Sequence, residues 1–246
     1  MRLATFNILS GRSPSAPEVD VDRFAAAVAS LDADVLALQE VDLRQPRSGY
    51  VDLAGVAATA AGAVEHRFAA AMTGPGDDWV PATGDEPPDA PVYGIALLSR
   101  WPVTGWRTVR LPGLPLRVPH RWPGRLTWVR DEQRVALVAE VHSPHGLLRV
   151  VTTHLSFVPW SGARQLRRLL TETADVDVLM GDHNMPPERA ARMTGMRPLA
   201  TAPTFPADAP TAQLDHLLSG SAALVATHGA AVQLAVSDHR ALVADV

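Results

Sequence analysis

Several short apolar runs in this sequence end on polar side chains of a restricted kind. Leu3-Ala4-Thr5-Phe6 leads to Asn7, Val35-Leu36-Ala37-Leu38 to Gln39 and Glu40, and Val150-Val151-Thr152-Thr153 to His154. Val178-Leu179-Met180-Gly181 leads to Asp182, His183 and Asn184; later, Gln213-Leu214 precedes Asp215 and Val236-Ser237 precedes Asp238 and His239. Strand ends that open onto one rim can bring such groups together, and ligands of α/β folds bind at such rims. Carboxylate and amide oxygens are hard ligands suited to Mg2+ or Mn2+. The chain has no cysteine and no His-Glu-x-x-His pair, so nothing points to a zinc site. Phosphate chemistry is the natural partner of such a set. A carboxylate-held cation neutralises charge that builds on a phosphoryl oxygen and lowers the pKa of a bound water. A histidine beside a carboxylate has its pKa raised and can act as a base or as a cationic clamp.

The elements that position these groups are read from periodicity. Strands are expected at 3–8, 35–38, 92–98, 135–141, 148–153, 176–180, 213–218 and 241–246, and helices at 21–31, 53–61 and 163–173. In the first helix Val21, Phe24, Ala25, Val28 and Leu31 share a face and Asp20 can cap the start; Gly62 stops the second. Short strands alternating with a few helices indicate a layered α/β fold. Segment 74–91 is dense in Pro, Gly and Asp, and segment 106–134 mixes tryptophans with seven arginines; both are expected as surface loops or lids. With no internal repeat and no clean boundary, one domain spanning 1–246 is the simplest organisation.

Composition narrows the class further. At 246 residues, 47% hydrophobic and 20% charged, the chain can bury a core and is not disordered. A formal charge of −4 gives no global pull on long polyanions, so any grip on nucleic acid has to be local. No secretory leader and no apolar run of membrane-spanning length is present, so a cytoplasmic protein with no membrane span is expected, with a monomer favoured.

The ordered set Thr5-Phe6-Asn7, Leu38-Gln39-Glu40, Gly94-Ile95-Ala96-Leu97-Leu98-Ser99-Arg100, Thr153-His154-Leu155, Gly181-Asp182-His183-Asn184, Leu214-Asp215-His216 and Ser237-Asp238-His239 resembles the endonuclease/exonuclease/phosphatase family. The resemblance runs from residue 3 to residue 246. It implies a four-layered α/β sandwich, two packed mixed β-sheets flanked by helices, and an Mg2+- or Mn2+-dependent hydrolase of phosphate esters. Carried over by position, Glu40 is the principal metal ligand, with Asn7 beside it and Asp238 as a further ligand. Asp182 orients or deprotonates the attacking water, and Asn184 hydrogen-bonds the phosphate. His239, supported by Asp215, stabilises the transition state or transfers a proton, and His154 binds a phosphate oxygen or helps protonate the leaving group.

This chain also departs from the family pattern. His183 stands where the family commonly carries an aromatic or apolar residue, and it is read as a substrate contact or a packed neighbour. The glutamate that some nuclease-like members pair with the histidine of the Thr-His-Leu stretch is missing near residues 93–100. The signatures of inositol polyphosphate phosphatases are absent around Gly181 and Asp215. Within segment 106–134, Arg121 and Arg125 are candidates for gripping substrate, and Trp106, Trp122 and Trp128 for stacking. The substrate is left open among small molecules, lipids and nucleic acids. A nuclease acting on short or damaged DNA is one alternative, and a catalytically inert binding module on the same fold is another.

Overall fold

A strand buried on both faces reads as a continuous apolar run, because successive side chains point to opposite sides of the sheet. The computed structural model, which describes residues 1–115, 117–122 and 125–246, with backbone alone for 77, 120–122 and 125, shows where those runs go. In chain order the first half comprises β1 (Arg2–Asn7), α1 (Val21–Ser30), β2 (Val35–Leu43), α2 (Leu53–Ala61), β3 (Glu65–Thr73), β4 (Val80–Pro81), β5 (Val92–Ser99), β6 (Val103–Leu111), β7 (Arg117–Trp122) and β8 (Arg125–Arg130). The second half comprises β9 (Arg134–Ser143), β10 (Gly146–His154), α3 (Pro159–Glu172), β11 (Val178–Asp182), α4 (Pro187–Thr194), β12 (Arg197–Pro198), β13 (Asp215–Ser219), β14 (His228–Val232) and β15 (Ala241–Asp245).

Two mixed sheets result. One runs β14-β15-β1-β2-β5-β3-β4 and the other β12-β13-β11-β10-β9-β6, while β7 and β8 form a separate ribbon. The pairs β1–β2 and β10–β11 are parallel, and both end at the same rim. Leu3, Val35, Ala37, Ile95 and Leu97 of the first sheet meet Leu137, Val150, Val178, Met180 and Leu217 of the second in a central core. The outer face of the first sheet, with Phe6, Leu36 and Leu38, is covered by Phe24 and Val28 of α1 and Leu53 and Ala57 of α2. Val151, Leu179 and Leu218 on the other outer face are covered by Leu166 and Leu169 of α3. Burying each such side chain contributes about 1.5–3 kcal/mol, which makes the layering cooperative. The architecture is the helix–sheet–sheet–helix sandwich expected from the family resemblance.

Local chemistry accounts for most element ends. The Asp20 side chain accepts from the Arg23 amide at 3.0 Å to start α1, and Gly62 closes α2 in the left-handed conformation. Helix α3 starts earlier than its apolar stripe because Pro159 occupies its first turn. Strand β3 escapes sequence reading because its first half, Glu65-His66-Arg67, is exposed and polar. Helix α4 escapes because Ala190 is its one fully buried residue. Segment 106–134 contains the end of β6 and the whole β7–β8 ribbon. Among the described residues no helix is long and apolar enough to cross a membrane.

Candidate active site

Alternation places most of the polar strand ends on the inner faces. Leu3 and Thr5 point inward on β1, so Asn7 does too; Val178 and Met180 carry Asp182, Val150 carries His154, and Leu217 shares its face with Asp215. Asp182 and Asp215 are direct register partners. Gly181 is required immediately before Asp182. Its φ is +137°, and a Cβ there would lie 1.9 Å from the Thr153 carbonyl oxygen, so only glycine lets β11 pair this closely with β10.

Glu40 needs a different device. Unbroken alternation would put it on the outer face with Leu36 and Leu38, beneath the helices. The register of β2 against β5 instead shifts between Gln39 and Val41, and Glu40 takes a left-handed φ of 56°. The bulge absorbs one residue and turns the carboxylate toward Asn7. The Asn7 Nδ2 donates to Glu40 Oε1 and to Asp182 Oδ2, each at 3.1 Å, and so links the two sheets.

The last members arrive on the loop before β15. The Ser237 hydroxyl donates to the Asn7 carbonyl at 2.6 Å and accepts from the His239 amide at 3.0 Å. Ser237 itself has a φ of 76°, as Asn184 has 50°, so left-handed non-glycine residues concentrate at this rim. Asp238 lies close enough to act electrostatically on both Glu40 and His239. The structure therefore brings together Asn7, Glu40, His154, Asp182, Asn184, Asp215, Asp238 and His239.

The two histidines of the cluster carry opposite charge states. His239 Nδ1 donates to Asp215 Oδ2 at 2.9 Å, and its Nε2 stands 4.0 Å from Asp182 Oδ2. Burial works against the imidazolium, but Asp215 above all, then Asp182 and Asp238, push it up to about 10. His154 is driven well below its ordinary value, first by burial and then by the Arg134 guanidinium and His239. Its 3.5 Å approach to Asp182 Oδ2 is thus a contact of a neutral ring rather than an ion pair.

Arg134, a residue with no distinguishing signal in the sequence, adds to burial in holding His154 neutral. It is 4% exposed, places Nη1 3.4 Å from His154 Nδ1, and has Glu132 as its carboxylate partner at 3.3 Å. Asn184 Nδ2 lies 3.2 Å from the other ring nitrogen and donates to the Leu155 carbonyl at 3.0 Å. A neutral imidazole has one acceptor. Arg134 Nη1 and Asn184 Nδ2 both offer a donor to the ring; the permanent cation at Nδ1 favours the tautomer with the proton on Nε2, where Asp182 Oδ2 at 3.5 Å accepts. Arg134 thus occupies the role that a carboxylate plays for His239, with the opposite effect.

Burial first, then the neighbouring Asp215, raise Asp182 to about 7, against the counter-effects of His239, Asn7 and the Asn184 amide. Burial likewise raises Glu40. Asp215 Oδ1 is buried without a hydrogen-bond partner. Four carboxylates meet here, Asp182 and Asp215 buried and Glu40 and Asp238 half-buried, and their hard oxygens are the donors a divalent cation takes. Asp182, Asp215 and His239 present ligand atoms within 4.8 Å of one another, yet His239 already donates its Nδ1 proton to Asp215. Glu40, Asn7 and Asp238 are a second set that could hold the cation, since among the described residues no guanidinium or imidazolium forms an ion pair with Glu40.

His183, expected at the substrate or packed behind the site, is fully buried, on the opposite side of β11 from Asp182. It stacks on His216 at 5.1 Å, and among the described residues neither of its ring nitrogens has a hydrogen-bond partner. A substrate has no access to it, so the packed position is the one observed. His216 Nε2 donates to the Met185 carbonyl at 2.9 Å. The side chains of Arg121 and Arg125 lie outside the described residues.

A sequence profile of the Endonuclease/Exonuclease/phosphatase family matches residues 4–239. No curated protein matches the chain. Among solved structures, an endonuclease/exonuclease/phosphatase from Beutenbergia cavernae superposes with a TM-score of 0.73 at 24% identity, covering 99% of this chain and 70% of its own. The mannosyl-6-phosphatase of Bacteroides thetaiotaomicron gives 0.67 at 12% identity over 100% and 98% of the two chains. D. rerio TDP2 complexed with single-strand DNA product gives 0.60 at 14% identity over 99% and 97%. These likenesses establish the fold.

Proposed function

The chain belongs to the endonuclease/exonuclease/phosphatase family, and from that premise we propose that it hydrolyses phosphate esters with the help of Mg2+ or Mn2+. The observation that carries this reading is the opposed pair of histidines around Asp182. Asp215 favours the cationic form of one, burial and then Arg134 the neutral form of the other, and both Nε2 atoms face the same carboxylate oxygen.

Glu40, Asn7 and Asp238 would hold the cation, which when bound polarises a phosphoryl oxygen and lowers the pKa of water. Asp182, fixed by the Asn184 amide at 2.9 Å and by Asn7, takes the proton of the attacking water. The imidazolium of His239 stabilises charge on the non-bridging oxygens, and Asp215 keeps it charged and oriented. The Nε2–H of His154 and the Asn184 side-chain Nδ2 donate to another phosphoryl oxygen. The water oxygen bonds to phosphorus as the ester P–O bond breaks, and the leaving oxygen ends with the proton that water gave up. An inert binding module has no need of the hydrogen bonds that join Asn7 to Glu40 and Asp182 and His239 to Asp215.

Purified protein assayed with Mg2+, Mn2+ or EDTA against sugar phosphates, nucleotides, phospholipids, and nicked or abasic DNA tests the reading. Turnover on at least one class that EDTA abolishes supports it. Turnover that persists in EDTA contradicts it. Cleavage confined to the DNA substrates would select the nuclease within the same chemistry.

A further inference from the structure

The arginines of segment 106–134 divide by occupation. Arg107 donates to the Glu172 carbonyl, Arg110 to the carbonyls of Ala82 and Thr83, and Arg134 serves His154. Arg117 and Arg130 are exposed and, among the described residues, have neither an ion pair nor a hydrogen bond from their guanidinium groups. They are direct register partners across β7 and β8. Like charges directly opposite each other on an antiparallel pair are destabilising. Among the described residues no ion pair offsets that repulsion, and the carboxylates nearest to the two arginines, Asp78 and Glu132, line the same space without pairing with either.

Both guanidinium-bearing residues line one cavity of about 250 Å3, together with Met72, Trp79, Glu132 and Asp78. Glu132 is already committed to Arg134. The cavity is tied to the reaction site from two directions. Trp79 packs on Tyr93 at 4.8 Å with Arg47 over its ring, and Tyr93 is the register partner of Asp42, two residues beyond Glu40. The base of the ribbon is held by buried Asp131, which accepts from the Leu114 amide at 2.9 Å. The same carboxylate accepts from the Ser156 and Ser161 hydroxyls at 2.5 Å each. Ser156 stands two residues beyond His154, so the ribbon keeps a set position beside the site.

We propose that this cavity is a subsite for a second phosphate, carried by the substrate beyond the one that is hydrolysed. The inference rests on the phosphoesterase reading. Two guanidinium forks facing one space can hold the oxygens of one phosphate, and that anion removes the repulsion between them. The Trp79 ring provides a flat wall for the ring that connects the two phosphates. A nucleoside 3′,5′-bisphosphate and a sugar bisphosphate share this chemistry.

The test measures kcat/KM for both bisphosphates and for the matching monophosphates, with bis(p-nitrophenyl) phosphate as a general probe of turnover. The native protein should prefer at least one bisphosphate by about tenfold or more, the worth of one charge-assisted contact. Whichever ring shows the preference identifies the source. In Arg117→Ala/Arg130→Ala that preference should collapse, mainly through a higher KM, and Arg117→Lys/Arg130→Lys should restore part of it. A native protein without the preference, or a double variant that keeps it, overturns the proposal. If no ester, including the probe, is turned over, the phosphoesterase reading fails by itself. Calorimetric binding of the bisphosphates then decides the subsite, which is refuted if native and double-variant proteins bind equally.

Discussion

Asp215→Asn isolates the source of the His239 charge. The substitution keeps the size of the side chain and removes its charge. The rise of His239 from an ordinary 6.5 to about 10 corresponds to roughly 5 kcal/mol in favour of the protonated ring, with Asp215 the largest contributor. Loss of one such neighbour lowers the imidazolium pKa by about 1–3 units. Asp215 also raises the pKa of Asp182, so its removal lets that carboxylate ionise at lower pH. A bell-shaped profile of kcat/KM should therefore move to lower pH on both limbs, which loss of a purely structural contact would not produce. His239→Ala in the same background should cost little beyond His239→Ala alone. An unmoved alkaline limb, or fully additive losses, would refute the pairing. The sign for stability follows from the same shift. The contribution is complete below about pH 6.5, where the ring is protonated folded or unfolded, and is lost as pH rises through about 10, so the Tm deficit of Asp215→Asn should shrink in that range.

Other consequences are simpler to measure. Arg134→Met should let His154 Nδ1 carry the proton, which imidazole 15N shifts report, with kcat lowered by about tenfold or more and partial rescue in Arg134→Lys. His183→Phe removes two unpartnered buried nitrogens, and should be neutral or stabilising by about 1–2 kcal/mol with turnover within a few-fold of native. A hundredfold loss of turnover there would show that His183 takes part in the reaction. Metal binding near pH 6.5 should release protons, because Asp182 titrates near 7 and Glu40 is raised, both by burial. Calorimetry in buffers of different ionisation enthalpy should show apparent affinity climbing with pH.

The layers and the catalytic rim were legible because their signals are local. Each inner strand is a short apolar run that ends on a polar residue of a restricted type. What escaped depends on residues far apart in the chain. The bulge at Glu40 is a property of β2 pairing with β5, and the polar beginning of β3 hides a strand that the sheet edge stabilises. Arg134 looks like its six neighbours in the sequence until β9 and β10 place it against His154. His183 has the type of a site residue, but a single step along β11 turns it to the outer face, against His216. His66, His142, His145 and His228 carried no partner pattern and are exposed, away from the rim.

The most direct test of the account is metal binding and ester turnover in Glu40→Gln, which keeps the bulge and the Asn7 contact while removing one negative charge. The account predicts that Mg2+ or Mn2+ binding weakens by at least about tenfold and that turnover falls by orders of magnitude, with the fold intact by thermal unfolding. Native-like turnover with unchanged metal affinity would contradict it.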